Sequence, residues 1–255
     1  MAGSVQSGRL ALVTGAAQGI GAAIARRLSA DGAVVGANDL ADDQRLADVV
    51  AATAGFPAVA DVCDRDAVYE MVAGIERDRG PVDIAVCNAA YMTMAPFLEH
   101  PDDDWWKVVD TNVCGTVNVI QAVLPGMRRR GGGNIVIIAS EWGVIGWPEA
   151  SAYSASKAAL IALAKTLGRE LARENISVNA VAPGVTDTPQ LQVDADSAGI
   201  GLDEMRNRYG ADIPAGRIGV PGEIAAAVAL LARPGLGAMV GQTLQINGGS
   251  TRCRV

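Results

Sequence analysis

Short apolar runs alternate with stretches of helical spacing from one end of the chain to the other. That alternation limits the possible folds more than any other feature. Residues 10–14, 33–39, 58–61, 82–88, 134–139, 177–181 and 242–246 read as strands. Between them, 20–30, 42–53, 64–79, 102–127, 152–174 and 223–232 carry apolar residues at the three- and four-residue spacing of a helix, with Asp102 as a candidate cap and Pro221 suited to a first turn. Strands separated by helices pair in parallel through crossovers. The pattern therefore predicts an α/β protein, a doubly wound parallel sheet of about seven strands with helices on both faces, in a single domain over residues 1–255. Half of the residues are hydrophobic, many of them Ala, Val and Gly, which suits close packing of helices on such a sheet. No internal repeat, low-complexity tract or linker is visible. Residues 183–217 fit neither pattern; they are polar, contain glycine and are too long for an ordinary connection. The part at about 186–217 is expected to be a loop that acts as a lid.

The formal net charge of −7 argues against nucleic acid or an anionic membrane as partner. Residues 1–8 lack the basic and apolar regions of a signal peptide, and no window offers the apolar length of a spanning helix. Cys63, Cys87, Cys114 and Cys253 are widely spaced and are expected to be reduced and mostly buried, as in a cytoplasmic protein. The single histidine, His100, sits in a polar run and reads as a surface loop residue. With one histidine, a zinc site or a Ser-His-Asp triad is hard to build, and no metal is expected.

Chemistry concentrates at two places. The first strand runs straight into Thr14-Gly15-Ala16-Ala17-Gln18-Gly19-Ile20-Gly21, where a helix opens. Glycines there permit a tight turn and let the backbone approach a pyrophosphate at the helix N-terminus. Asp39 ends the second strand about 20 residues on, where a carboxylate accepts from both hydroxyls of a ribose and repels a 2′-phosphate. Ala16, Ala17, Ala37 and Asn38 supply no cation for that phosphate, so NAD is expected over NADP. The second place is Ser140, at the end of the most apolar strand, followed by Tyr153 and Lys157. A spacing of four puts the phenol and the amine on one helix face, where the cation would lower the phenol pKa.

These residues resemble the short-chain dehydrogenase/reductase family over nearly the whole chain, with the Rossmann-type fold that the family implies. Thr14–Gly21 matches its glycine loop. Asp61-Val62 matches the acidic pair at the adenine, and Asn88-Ala89-Ala90 its Asn-Ala-Gly motif, with Ala90 in place of the usual glycine. Asn112, Ser140, Tyr153 and Lys157 match the catalytic tetrad, and 179–184 with Thr186-Asp187-Thr188 the segment on the nicotinamide. The resemblance implies Tyr153 as general acid/base and Lys157 lowering its pKa and holding the nicotinamide ribose. It further implies Ser140 polarising the substrate oxygen and Asn112 holding a water that relays protons. Cofactor contacts are implied for Gly15, Gln18, Gly19, Ile20, Gly21, Asp39, Leu40, Asp61, Val62, Asn88, Ala89, Ala90, Tyr153, Lys157, Pro183, Gly184, Val185, Thr186 and Thr188. A homotetramer formed through the Asn112 and Tyr153 helices and the last strand is implied too.

On the substrate side, position suggests Tyr91, Met92, Ser140, Trp142, Trp147, Val185 and Leu191, while Glu141 and Glu149 would contact hydroxyls or water. The lid charges, Asp194, Asp196, Asp203, Glu204, Arg206 and Arg208, have no direction assigned by sequence. Arg128-Arg129-Arg130 would answer a helix C-terminus or dock an acidic carrier protein. The leading expectation is an NAD-dependent dehydrogenase of a small polar or cyclic secondary alcohol, such as a polyol, sugar or hydroxy acid. The alternatives are a 3-oxoacyl-thioester reductase, though such enzymes usually prefer NADP, and a non-catalytic NAD-sensing protein.

Overall fold

The computed structural model describes residues 5–251; Cys253 lies outside them. Seven strands form one parallel sheet in the order β3-β2-β1-β4-β5-β6-β7. They are β1 (Leu10–Val13), β2 (Val34–Ala37), β3 (Phe56–Pro57), β4 (Ile84–Cys87), β5 (Gly133–Ile138), β6 (Ile176–Pro183) and β7 (Thr243–Ile246). Order reverses between β1 and β4, and in sheets of this kind a ligand cleft opens at the C-terminal ends of the strands flanking that point.

Side-chain alternation along each strand divides the core. Leu10, Leu12, Ile135 and Ile137 pack on α3 (Arg65–Arg79), α5 (Gly115–Arg130) and α7 (Ser151–Leu171). Ala11, Val13, Val136 and Ile138 pack on α1 (Gly19–Ala30), α2 (Gln44–Thr53) and α10 (Pro221–Leu231). Both faces of the sheet are thus covered, as the apolar strands require.

Three expectations are corrected. The third strand is only Phe56–Pro57, earlier than residues 58–61. The helix read over 102–127 is broken into α4 (Asp102–Val109), a π-turn at Asp110–Cys114 and α5, and Pro101 rather than Asp102 occupies the cap. The 183–217 segment is no loop. It holds α8 (Pro189–Ala198) and α9 (Leu202–Gly210), joined through Gly199, with a small core of Leu191, Ala195, Met205, Ile213 and Ile218. A short α6 (Trp142–Ile145) also precedes α7. Two further expectations are corrected: His100 is buried rather than at the surface, pairing through Nε2 with Thr93 Oγ1 at 2.9 Å, and Cys63 and Cys114 are exposed where burial was expected.

Candidate active site

A cleft of about 1020 Å³ opens along the C-terminal ends of the strands, from Asp39 and Asp61 at one end to Ser140, Tyr153 and Leu191 at the other. Its floor is the turn between β1 and α1. Gly15 has φ +61°, and a Cβ there would come within 2.9 Å of Ala89 Cα; at Gly21 it would lie 2.0 Å from Gly15 O. Only glycine lets the two turns nest this closely. Thr14 Oγ1 accepts from the Asn88 and Ala89 amides at 2.9 and 3.0 Å, and Asn88 Nδ2 donates to Thr14 O and Gly15 O. The Asn88 side chain therefore fixes the loop from behind.

The N-terminus of α1 differs from those of α2 and α3. Asp43 and Asp64 cap the latter two, whereas Gln18 makes no side-chain cap to α1. The first α1 amides thus face a cleft wall formed by Gln18, Gly19 and Ile20 with no side-chain acceptor. Uncapped amides at a helix start fit a pyrophosphate. At the end of β2, Asp39 Oδ2 accepts from Ala17 N (3.0 Å) and Oδ1 from Leu40 N (2.9 Å), leaving lone pairs for two ribose hydroxyls. Sequence missed one cation here. Arg45 lines the cleft and donates to Gln18 Oε1 at 3.1 Å, but Asp43 holds its guanidinium at 2.6 Å. It comes from the first turn of α2, six residues beyond Asp39, where no glycine-loop pattern points.

At the other end, Lys157 is buried and donates from Nζ to Ile138 O at 2.8 Å, with Nζ 5.4 Å from the centre of the Tyr153 ring. Burial pushes the Lys157 amine down to about 8. Burial likewise pushes the Tyr153 phenol up to about 12, opposed by a hydrogen bond with Ser140. The ring stays half-buried at the cleft wall, so water entering the cleft tempers that push. The Lys157 amine makes its hydrogen bond to Ile138 O and not to the phenol. Trp142 packs edge-on against Tyr153 at 5.9 Å and stacks on Trp147 at 5.0 Å, with Trp142 N donating to Ser140 Oγ at 3.2 Å.

The cleft brings together the expected cofactor residues with Ser140, Tyr91, Met92, Trp142, Val185 and Leu191. Trp147 stands behind Trp142 and does not line it. Asn112 is wholly buried. Its Oδ1 accepts from Tyr91 N, and its Nδ2 donates to Tyr91 O and Ser156 Oγ, so its side chain has no free donor to hold a relay water. Glu141 is buried away from the cleft, and Glu149 is exposed. The rim also contains Asp103, Trp106, Lys107, Asp110, Asp194 and Tyr209, which only the tertiary fold gathers; Lys107 lies over the Tyr91 ring at 4.4 Å. Arg206 forms a two-pronged bridge to Asp187 and a bridge to Asp203, holding α9 to the cleft edge. Arg128, Arg129 and Arg130 sit at the opposite end of β5 from Ser140, paired with Glu174, Glu76 and Asp83. Among the described residues no cluster of His, Cys, Asp or Glu is placed to hold a metal ion, and no helix is long and apolar enough to cross a membrane.

A family model described as enoyl-(acyl carrier protein) reductase matches residues 15–251. A 3-oxoacyl-[acyl-carrier-protein] reductase of Thermotoga maritima is 36% identical over 247 residues, 95% of this chain and 97% of its own. An acetoacetyl-CoA reductase of Rhizobium meliloti is 38% identical over 94% of this chain and 98% of its own. Among solved structures, ligand-free aldohexose dehydrogenase of Thermoplasma acidophilum superposes with a TM-score of 0.89 at 28% identity, covering 99% of this chain and 98% of that one.

Proposed function

The chain belongs to the short-chain dehydrogenase/reductase family of nicotinamide-dependent oxidoreductases, and from that premise we propose that it reduces the ketone of a 3-oxoacyl thioester, reversibly, with NADH. One observation carries the chemistry: the Ser140 hydroxyl and the Tyr153 phenol share one wall of the cleft, near enough for Ser140 to act on the phenol, beside Lys157. A substrate carbonyl oxygen seated there would accept from both hydroxyls. Tyr153 gives that oxygen its proton in the reduction and takes it back in the oxidation. A phenol raised to about 12 keeps its proton at neutral pH, which suits the reducing direction. Lys157, fixed by Ile138 O, places a cation where a phenolate forms and where a ribose would lie. When bound, the nicotinamide supplies the hydride. Residues 186–217 act as the lid that excludes water.

The relatives that reduce 3-oxoacyl and acetoacetyl thioesters support the substrate class. A second reading, oxidation of a small polar or cyclic alcohol, has its own support. Trp142 and Tyr153 offer a rigid aromatic wall, Asp103 and Asp194 make the rim acidic, and the aldohexose dehydrogenase shares the fold. Asp39 favours NAD in either case. We also infer a homotetramer, supported by the exposed Phe97, Leu98, Trp106 and Ile145.

Absorbance at 340 nm separates the readings: acetoacetyl-CoA with NADH against a panel of cyclic and polyol alcohols with NAD. Tyr153→Phe keeps the ring and should lower turnover by roughly 10² to 10⁴ without loss of NAD binding. Near-normal turnover in that variant would sink the mechanism.

A further inference from the structure

Glu141 follows Ser140 directly, yet its side chain turns away from the cleft and is 4% exposed. A carboxylate so far from water needs compensation. Its Oε2 accepts from Ser250 Oγ, in a turn where Asn247 Nδ2 donates to Gln245 Oε1 and Thr251 Oγ1. Gly184 lies against it: a Cβ there would come within 3.2 Å of Glu141 Oε1 and 2.8 Å of Asn247 Cβ.

Gly184 and Ser250 adjoin the two hinges of the 186–217 segment. At the first hinge, Gly219 N donates to Val185 O, Asp187 N donates to Gly219 O (both 2.9 Å), and Thr186 bridges to Gly219. At the second, Ala215 N donates to Gly248 O at 3.0 Å, inside the turn that runs from Asn247 to Ser250. On its backbone side, Glu141 N donates to Pro183 O at 2.9 Å, tying the end of β5 to the end of β6. One buried carboxylate therefore stands where both hinges meet the strand end that bears Ser140.

We propose that Glu141 is a positioning residue that anchors both lid hinges to the Ser140 strand end, so that the lid and the Ser140–Tyr153 pair are set together. It rests on the reading of 186–217 as a lid over a carbonyl site. One carboxylate oxygen accepts from Ser250 and the other lies against Gly184; Gln offers only one oxygen and must turn its NH₂ to one of those two sides. In Glu141→Gln either the Ser250 hydroxyl loses its acceptor or the amide NH₂ is pressed against Gly184.

Two readouts test the anchor. The first is amide hydrogen exchange of the ligand-free protein, which needs no activity. In Glu141→Gln, amides of 185–219 should exchange about tenfold faster or more, with β1 and β4 unchanged. The second is kinetics with NADH and the best ketone. There kcat/KM should fall roughly 10- to 100-fold, with KM rising and the alkaline limb due to Tyr153 staying in place. Ser250→Ala should move both readouts the same way by a smaller factor and should not add to Glu141→Gln. Wild-type exchange over 185–219 in both variants would overturn the anchor, as would a uniform rise over the whole chain. If Glu141→Gln does not fold, Ser250→Ala decides by the same criteria. A chain with no turnover on any ketone would refute the proposed reaction, and the exchange result would still judge the anchor.

Discussion

The side chains that carry chemistry here are held against their own solvation preferences. Lys157 is the clearest case. In the unfolded chain the amine takes its proton near 10.5; in the folded chain burial delays that to about 8. Folding therefore opposes protonation. The penalty is absent above pH 10.5, grows as pH falls toward 8 and is complete below it. That shift corresponds to about 3 kcal/mol, against about 1 kcal/mol for the bond to Ile138 O. Lys157→Met should thus stabilise the ligand-free protein by about 1–2 kcal/mol at pH 7 while abolishing most turnover and weakening NAD. Urea unfolding at pH 7 and pH 10.5 checks it: the gain should shrink toward the higher pH, and a variant less stable at pH 7 would contradict it. At the adenosine end, Asp39 should make NAD bind at least ~10-fold tighter than NADP, about 1.4 kcal/mol. Arg45, which sequence did not reveal, is tied to Asp43 and would have to leave it to meet a 2′-phosphate. Fluorescence titration showing equal or tighter NADP binding would refute the preference. The Tyr153–Lys157 spacing was legible because a helix fixes it; the engagement of Asn112 and the burial of Glu141 were not, since their partners lie 21 to 109 residues away.

Among the elements, legibility followed periodicity. Strands buried on both faces announce themselves as unbroken apolar runs, and β1, β4 and β5 lie where sequence placed them. The two helices of the 183–217 segment did not, because α8 and α9 bury only a few side chains in a core of their own and carry polar residues elsewhere. The π-turn at Asp110–Cys114 left no mark either; its extra residue fits within a continuous helical pattern. The turn between β1 and α1 yields a prediction that separates two glycines of one motif. Gly21 has no room, its Cβ meeting Gly15 O at 2.0 Å and Asn88 Nδ2 at 2.6 Å. Gly19 has room, the nearest atom being at 3.5 Å, but a φ of +56°. Gly21→Ala should cost about 2–4 kcal/mol and abolish NAD binding, because the loop must move. Gly19→Ala should cost only about 1–2 kcal/mol of backbone strain. Denaturant titration of both variants decides, and equal losses would mean that crowding is not what selects glycine at position 21.

At the scale of the whole molecule, charge placement bears on which thioester the cleft could serve. An acidic carrier protein would need a cationic surface at the mouth. The three consecutive arginines that sequence offered for that role lie at the far end of β5, each paired with an acid. Around the mouth, Lys107 stands among Asp103, Asp110 and Asp194, and it lies over the Tyr91 ring. The chain as a whole carries −7. Among the described residues the mouth therefore offers a polyanion no cationic surface, Arg45 being held by Asp43, and steering by such a surface raises association rates by about 10-fold or more where it exists. Moving a 3-oxoacyl group from a small uncharged thioester to an acidic carrier protein should then leave kcat/KM unchanged or lower. Raising the ionic strength from about 0.01 to 0.15 M, which shortens the screening length from about 30 to 8 Å, should raise rather than reduce the rate on the carrier-bound substrate. The same salt change should leave the uncharged thioester unaffected. A carrier-bound substrate turned over tenfold faster, with a rate that salt suppresses, would show that a cationic docking surface exists at the mouth after all.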